Sequence, residues 1–167
     1  MIAVQATMRS TALSASTIAY GHLLVPASAH RAVDAAFAYL SGDAVERSLI
    51  DRLEHGTQTY RLAIDAHGDD SYDPLTHVIH WDPHSALETT DGGRQSPALG
   101  LGHEIDHAVE DPRKEMRLAN RADLCYDNAE ERRVIRGSER HAARTLGEDV
   151  RYDHGGSLYH VASPIAR

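Results

Sequence analysis

Val33, Ala36, Phe37 and Leu40 recur at the three- and four-residue spacing of one helix face, and after Ser41-Gly42-Asp43 interrupts them Val45, Leu49, Ile50 and Leu53 resume it as far as His55-Gly56. The pattern predicts two successive helices within residues 32–53, each with an apolar stripe turned to a core. The period then changes to two. Residues 59–65 alternate Tyr60, Leu62 and Ile64 with polar or small neighbours, and residues 75–81 alternate Leu75, His77, Ile79 and Trp81. Two strands are predicted, separated by turn residues of hairpin type over 67–74 and stopped by Asp82-Pro83. In the second strand His77 and His80 fall on opposite faces, and Trp81 belongs to the core or a cleft wall. Thr89 to Gln95 reads as a polar loop.

Ser96-Pro97 is a helix start, with serine as the cap and proline in the first turn. The helix should run from Pro97 to about Glu110 and stop before Pro112. Residues 111–127 lack strong periodicity and read as a charged connector. Asn128 opens a further helix, kinked at Gly137, restarted at Ser138 and closed by Leu146-Gly147. The tail carries a turn at His154-Gly155-Gly156. Residues 1–30, rich in Ala, Ser and Thr, are expected to form a poorly ordered or leader-like arm. Residues 31–167 are expected to form one α+β domain with a small antiparallel sheet.

Composition narrows the chemistry. Among 167 residues, 17 Lys and Arg against 25 Asp and Glu leave a net charge of −8, which argues against non-specific nucleic-acid binding. No apolar run approaches the roughly 18–20 residues of a membrane span. One cysteine, Cys125, makes neither an internal disulfide nor a cysteine zinc site. Twelve histidines leave His, Asp and Glu to hold any metal.

His103-Glu104-Ile105-Asp106-His107 lies inside the helix that starts at Ser96. Histidines four apart share one face and can reach one Zn²⁺, while Glu104 projects beside the metal as the base for a zinc-activated water. A third ligand is needed. Glu131 comes first, with Glu130 and Glu139 as alternatives and His141 or His154 behind them. Asn128-x-x-Glu131 is also a capping box, which would occupy Glu131 otherwise. An oxyanion donor should sit beside the metal, and Tyr126, Tyr152 and His154 are the candidates. Asp106 should face away from the ligands, at the surface. The edge of the strand at Val78 to Trp81 should pair with an extended substrate. Asp91-Gly92-Gly93-Arg94 lacks the Lys-Ser/Thr of a phosphate-binding loop. Two other readings stand beside a peptidase: an interaction module with structural or no zinc, and a zinc hydrolase of a non-protein substrate.

His103-Glu104-x-x-His107 followed by Asn128-Ala129-Glu130-Glu131 resembles the gluzincin group of zinc metallopeptidases. Val78 to Pro83, Leu101 to Ala108, Glu130 to Glu139 and the tail Arg151 to Gly156 resemble small type III secreted effector proteases of the NleD kind. The resemblance covers roughly residues 60–160. It implies a compact zincin-like domain, Zn²⁺ on His103, His107 and a downstream helical glutamate, and a monomeric endopeptidase. It also implies delivery into a host cell and cleavage of host proteins, with MAP kinases as the known case.

Overall fold

The computed structural model describes residues 16–66 and 68–167. Where the sequence predicts an arm, the chain instead makes a hairpin of β1 (Thr17–Tyr20) and β2 (Leu23–Pro26). Leu23 and Val25 are wholly buried, so β2 is part of the core, while β1 lies exposed along its outer edge. Gly21 makes the turn at φ 54°, and a Cβ there would stand 2.1 Å from the Glu54 carbonyl oxygen. The rest of the expected arm, residues 1–15, lies outside the described residues.

Helices α1 (His30–Leu40) and α2 (Ala44–His55) follow as the apolar stripes require. Asp43 caps α2, its Oδ1 accepting from Val45 N at 2.8 Å and Glu46 N at 3.1 Å. Strand β3 (Tyr60–Ile64) pairs parallel to β2. The segment predicted as one strand over 75–81 then divides. Asp73 closes a turn by accepting from Leu75 N and Thr76 Oγ1, and His77 takes the left-handed conformation at φ 54°. This turn joins β4 (Ser71–Asp73) to β5 (Val78–Trp81) as an antiparallel pair. β5 therefore runs parallel to β3, and the sheet order is β1-β2-β3-β5-β4. β5 is an inner strand, so the expected pairing of a substrate with its edge is excluded; the open edge belongs to β4.

The expected antiparallel sheet forms elsewhere, from β6 (Ser85–Thr89), β7 (Arg94–Gln95) and a tail strand. Between β7 and the tail lie α3 (Pro97–Val109), α4 (Pro112–Ala119), and the short hairpin of β8 (Ala122–Asp123) and β9 (Asp127–Asn128). Then come α5 (Ala129–Val134), one π turn (Ile135–Glu139), α6 (Arg140–Leu146) and β10 (Gly156–His160). The connector predicted over 111–127 thus holds α4, capped by Asp111. None of its residues is buried, which is why no apolar stripe announces it.

The fold is α+β, and α3 is its axle. Every residue from Leu101 to Ala108 is buried. α1 and α2 pack on α3 from one side, and β4, β5 and β6 from the other. Trp81, with no exposed surface, donates its Nε1–H to Pro97 O at 2.8 Å and ties the sheet to the start of α3. Among the described residues no helix is long and apolar enough to cross a membrane.

Candidate metal centre

Ser96 and Pro97 start α3 as the sequence predicts, with Ser96 Oγ accepting from Leu99 N at 3.3 Å. Two turns later His103 and His107 stand one above the other, ring centroids 4.7 Å apart, with their Nε2 atoms separated by 3.0 Å. Glu131 reaches the same point from α5, with Oε2 3.0 Å from His103 Nε2 and Oε1 3.4 Å from His107 Nε2. Asn128 does cap α5, accepting from Glu130 N and Glu131 N at 2.9 and 3.0 Å. The reciprocal half of the capping box is not made. Asn128 N donates to Tyr126 O, which leaves the Glu131 side chain free for the histidines.

The far nitrogens of both imidazoles face carboxylates. Glu139 Oε2 lies 2.8 Å from His103 Nδ1, and Glu130 Oε1 lies 3.4 Å from His107 Nδ1. Each of these glutamates is held in turn by arginine. Arg151 bonds Glu139 through Nε and Nη2 at 2.9 and 2.7 Å, and Arg133 bonds Glu130 through Nε and Nη2 at 3.0 and 2.6 Å. With each Nδ1–H donated to its carboxylate, both Nε2 atoms present lone pairs to one another and to Glu131. Three electron-pair donors at such spacing can hold a cation. A tetrahedral zinc with bonds of ~2.0–2.1 Å separates its ligands by ~3.3 Å, close to the spacing found here. The ligand atoms of His103, His107 and Glu131 all lie within 4.8 Å of one another.

Glu130 and Glu139, the alternative third ligands, are thus on the outer side of the histidines and orient them. Without a metal, the cluster behaves as ion pairs. Burial opposes charge on both histidines, but hydrogen bonds to Glu131 and to Glu139 or Glu130 outweigh it and lift His103 to about 9 and His107 to about 10. Burial alone would raise Glu131, yet its bonds to His103, His107 and His154 hold it far below the usual carboxylate range.

Glu104 is buried beside the trio, with Oε1 3.9 Å from His103 Nε2, and burial raises its pKa. His154 comes to the opposite side. Its Nδ1–H donates to Asp127 at 2.7 Å, its backbone N–H to Cys125 O at 2.9 Å, and its Nε2 lies 3.3 Å from Glu131 Oε2. The bond to Glu131 is the main reason its pKa rises. Tyr126 and Tyr152 do not join the site. Tyr126 is packed away behind the β8–β9 turn, its backbone N–H on Asp123, and Tyr152 is exposed with its ring 5.6 Å from the Arg140 guanidinium. His141 pairs with Asp43 at 2.6 Å, away from the trio.

Asp106 is not a surface acid, as its place in the motif suggested. It is buried, bonded by Arg133 Nη1 at 2.8 Å and by the Ser138 hydroxyl. Ser138 therefore does not cap a new helix. Gly137 breaks the helical path (φ −100°, ψ −108°), and the resulting π turn aims Ser138 and Glu139 at α3.

Two cavities flank the trio. One, of about 290 Å³, opens beside His103 and Glu104; the other, of about 250 Å³, opens beside His107 and Glu131. Asp69, Asp70, Glu104 and His154 line both. Arg151, Gln95 and Asp70 are residues that sequence reasoning did not single out. Asp70 and Arg151 are tens of residues from the motif, and Gln95 lies on the strand just before α3; only the fold turns them towards it. Compared with protein-family models, curated proteins and solved structures, the chain matches none.

Proposed function

We propose that the chain is a zinc-dependent endopeptidase with His103, His107 and Glu131 as metal ligands and Glu104 as general base. The observation that carries this reading is the convergence of two imidazole Nε2 atoms and one carboxylate, with each outer Nδ1 held by a second carboxylate. Three protein ligands between two open cavities suit a catalytic site, which keeps a coordination position for the reaction, better than a closed structural one. A zinc ion held there would polarise a peptide carbonyl and acidify water.

The chain's own residues supply the rest. Glu104 takes the proton of the attacking water and passes it to the leaving amine. His154, fixed by Asp127 on its Nδ1 side, offers Nε2–H to the oxyanion that develops on the carbonyl. Glu139 and Glu130 hold the ligand rings in one tautomer. An extended substrate is placed along the open edge of β4, since Ser71 and Tyr72 of that strand line the second cavity. The same reading makes the natural substrate a host protein met after export.

Glu104→Gln tests the mechanism. The variant should keep one zinc per chain and lose cleavage by about 10²–10⁴-fold. Host-cell lysate treated with each form and searched for new termini provides the substrate. Equal cleavage by both forms would remove Glu104 from the mechanism.

A further inference from the structure

The cavity beside His103 has a chemistry of its own. Leu87, Leu99 and Leu158 form apolar walls, and Asp69 and Asp70 supply acid at its rim. The other acids in it are already balanced. Arg151 neutralises Glu139 with three hydrogen bonds, and Glu104 faces the histidines. Among the described residues no Lys, Arg or His pairs with Asp69 or Asp70.

Asp70 is also rigidly placed. Its Oδ1 accepts from Asp82 N at 2.9 Å, and its Oδ2 presses on α3, only 2.5 Å from where a Cβ at Gly100 would stand. A side chain at position 100 would fill the space that the carboxylate takes. Burial is the main reason that its carboxyl rises to about 8, as expected of an acid with no cation beside it among the described residues.

Resting on the peptidase reading, we propose that this cavity receives a lysine or arginine side chain flanking the cleaved bond, with Asp70 as the counter-charge. The leucine walls cover the methylene stem, and the carboxylate meets the cationic end. An aliphatic side chain of equal length fills the same walls but leaves a desolvated carboxyl without a partner, which costs affinity. An acidic side chain finds no unpaired cation there among the described residues, since Arg151 is bonded to Glu139 and His154 to Asp127 and Glu131, and it meets Asp69 at the rim. The cavity thus selects by charge, and it does so within reach of Glu104.

A proteome-derived peptide library incubated with the zinc-loaded protein reads the preference directly. Lys and Arg should be enriched at one fixed position adjacent to the new termini. For a lysine peptide from that set and its norleucine analogue, Asp70→Asn should lower the lysine-to-norleucine ratio of kcat/KM by about 10–100-fold, mainly through KM. Asp70→Lys should move the preference to Glu or Asp. Zinc content and melting temperature of each variant establish that it is folded. Cleavage with no basic enrichment beside the bond, or an unchanged ratio in Asp70→Asn, would overturn the proposal.

Calorimetry with Glu104→Gln separates the two ideas. If nothing is cleaved, lysine-selective peptide binding that Asp70→Asn abolishes would keep the pocket and discard the peptidase. Absence of both cleavage and selective binding would discard both.

Discussion

Two glycines of α3 each make room for an acid. Asp70 sits at Gly100, and Glu46 sits at Gly102, where a Cβ would stand 2.5 Å from Glu46 Oε2. Glycine inside a helix costs about 1 kcal/mol relative to alanine, so the room is made at some expense. Glu46 is fully buried, and among the described residues neither of its oxygens has a hydrogen-bond partner. Burial, with Asp106 and Asp43 nearby, pushes its pKa to about 8. The folded state therefore needs this carboxyl protonated, while the unfolded chain releases its proton near 4.5. Its share of stability is complete below that value and is lost as the pH climbs towards 8. Melting temperature measured from pH 5 to 8 should decline more steeply for the native chain than for Glu46→Gln, and the variant should gain about 2 kcal/mol at pH 7. A parallel decline in both would show that Glu46 is not the group responsible.

The same scale governs the histidine rings. Glu139→Gln leaves His103 with a neutral acceptor and Arg151 without its counter-charge. Zinc affinity, measured by competition with a chromophoric chelator, should fall about 10–100-fold. Glu130→Gln should act likewise through His107, but more weakly, because its contact is 3.4 Å against 2.8 Å for Glu139. If Glu139 were itself the third ligand, its loss would cost far more than that of Glu131. The geometry predicts the reverse order.

Among the elements, those with local signals were the legible ones. α3 was readable because Ser96-Pro97 starts it and an apolar stripe runs through it, and α1 and α2 because Ser41-Gly42-Asp43 divides two clear stripes. Strand direction was not readable. It depends on the Asp73 turn, which makes β4 and β5 the antiparallel pair and so leaves β5 parallel to β3. The β1–β2 hairpin hid in a stretch low in charge, where four-residue strands give too short a pattern to stand out. The site divides in the same way. Histidines four apart on a helix follow from spacing alone, whereas Glu139 on His103 Nδ1 depends on a π turn that no composition announces.

For the whole molecule, metal and fold are coupled because the ligands come from two helices and their supports from a turn and the tail. Zinc binding only the folded chain should stabilise it by RT ln(1 + [Zn]/Kd), about 4 kcal/mol at a thousandfold excess over Kd. Thermal melts with zinc and with chelator provide the comparison. In His103→Ala the difference should nearly vanish. With Arg151→Leu, which removes the tail's hold on Glu139, it should shrink.

That dependence on the tail bears on timing. Strand β2 of the hairpin is in the core, the candidate metal ligands lie between residues 103 and 131, and Arg151 and His154 flank them from the tail. A nascent chain that has emerged only as far as residue 150 has the motif but neither of these tail groups. A chain drawn out for passage through a narrow channel has no site at all and has to recapture its ion on refolding. On the peptidase reading, activity is off for as long as the chain stays unfolded.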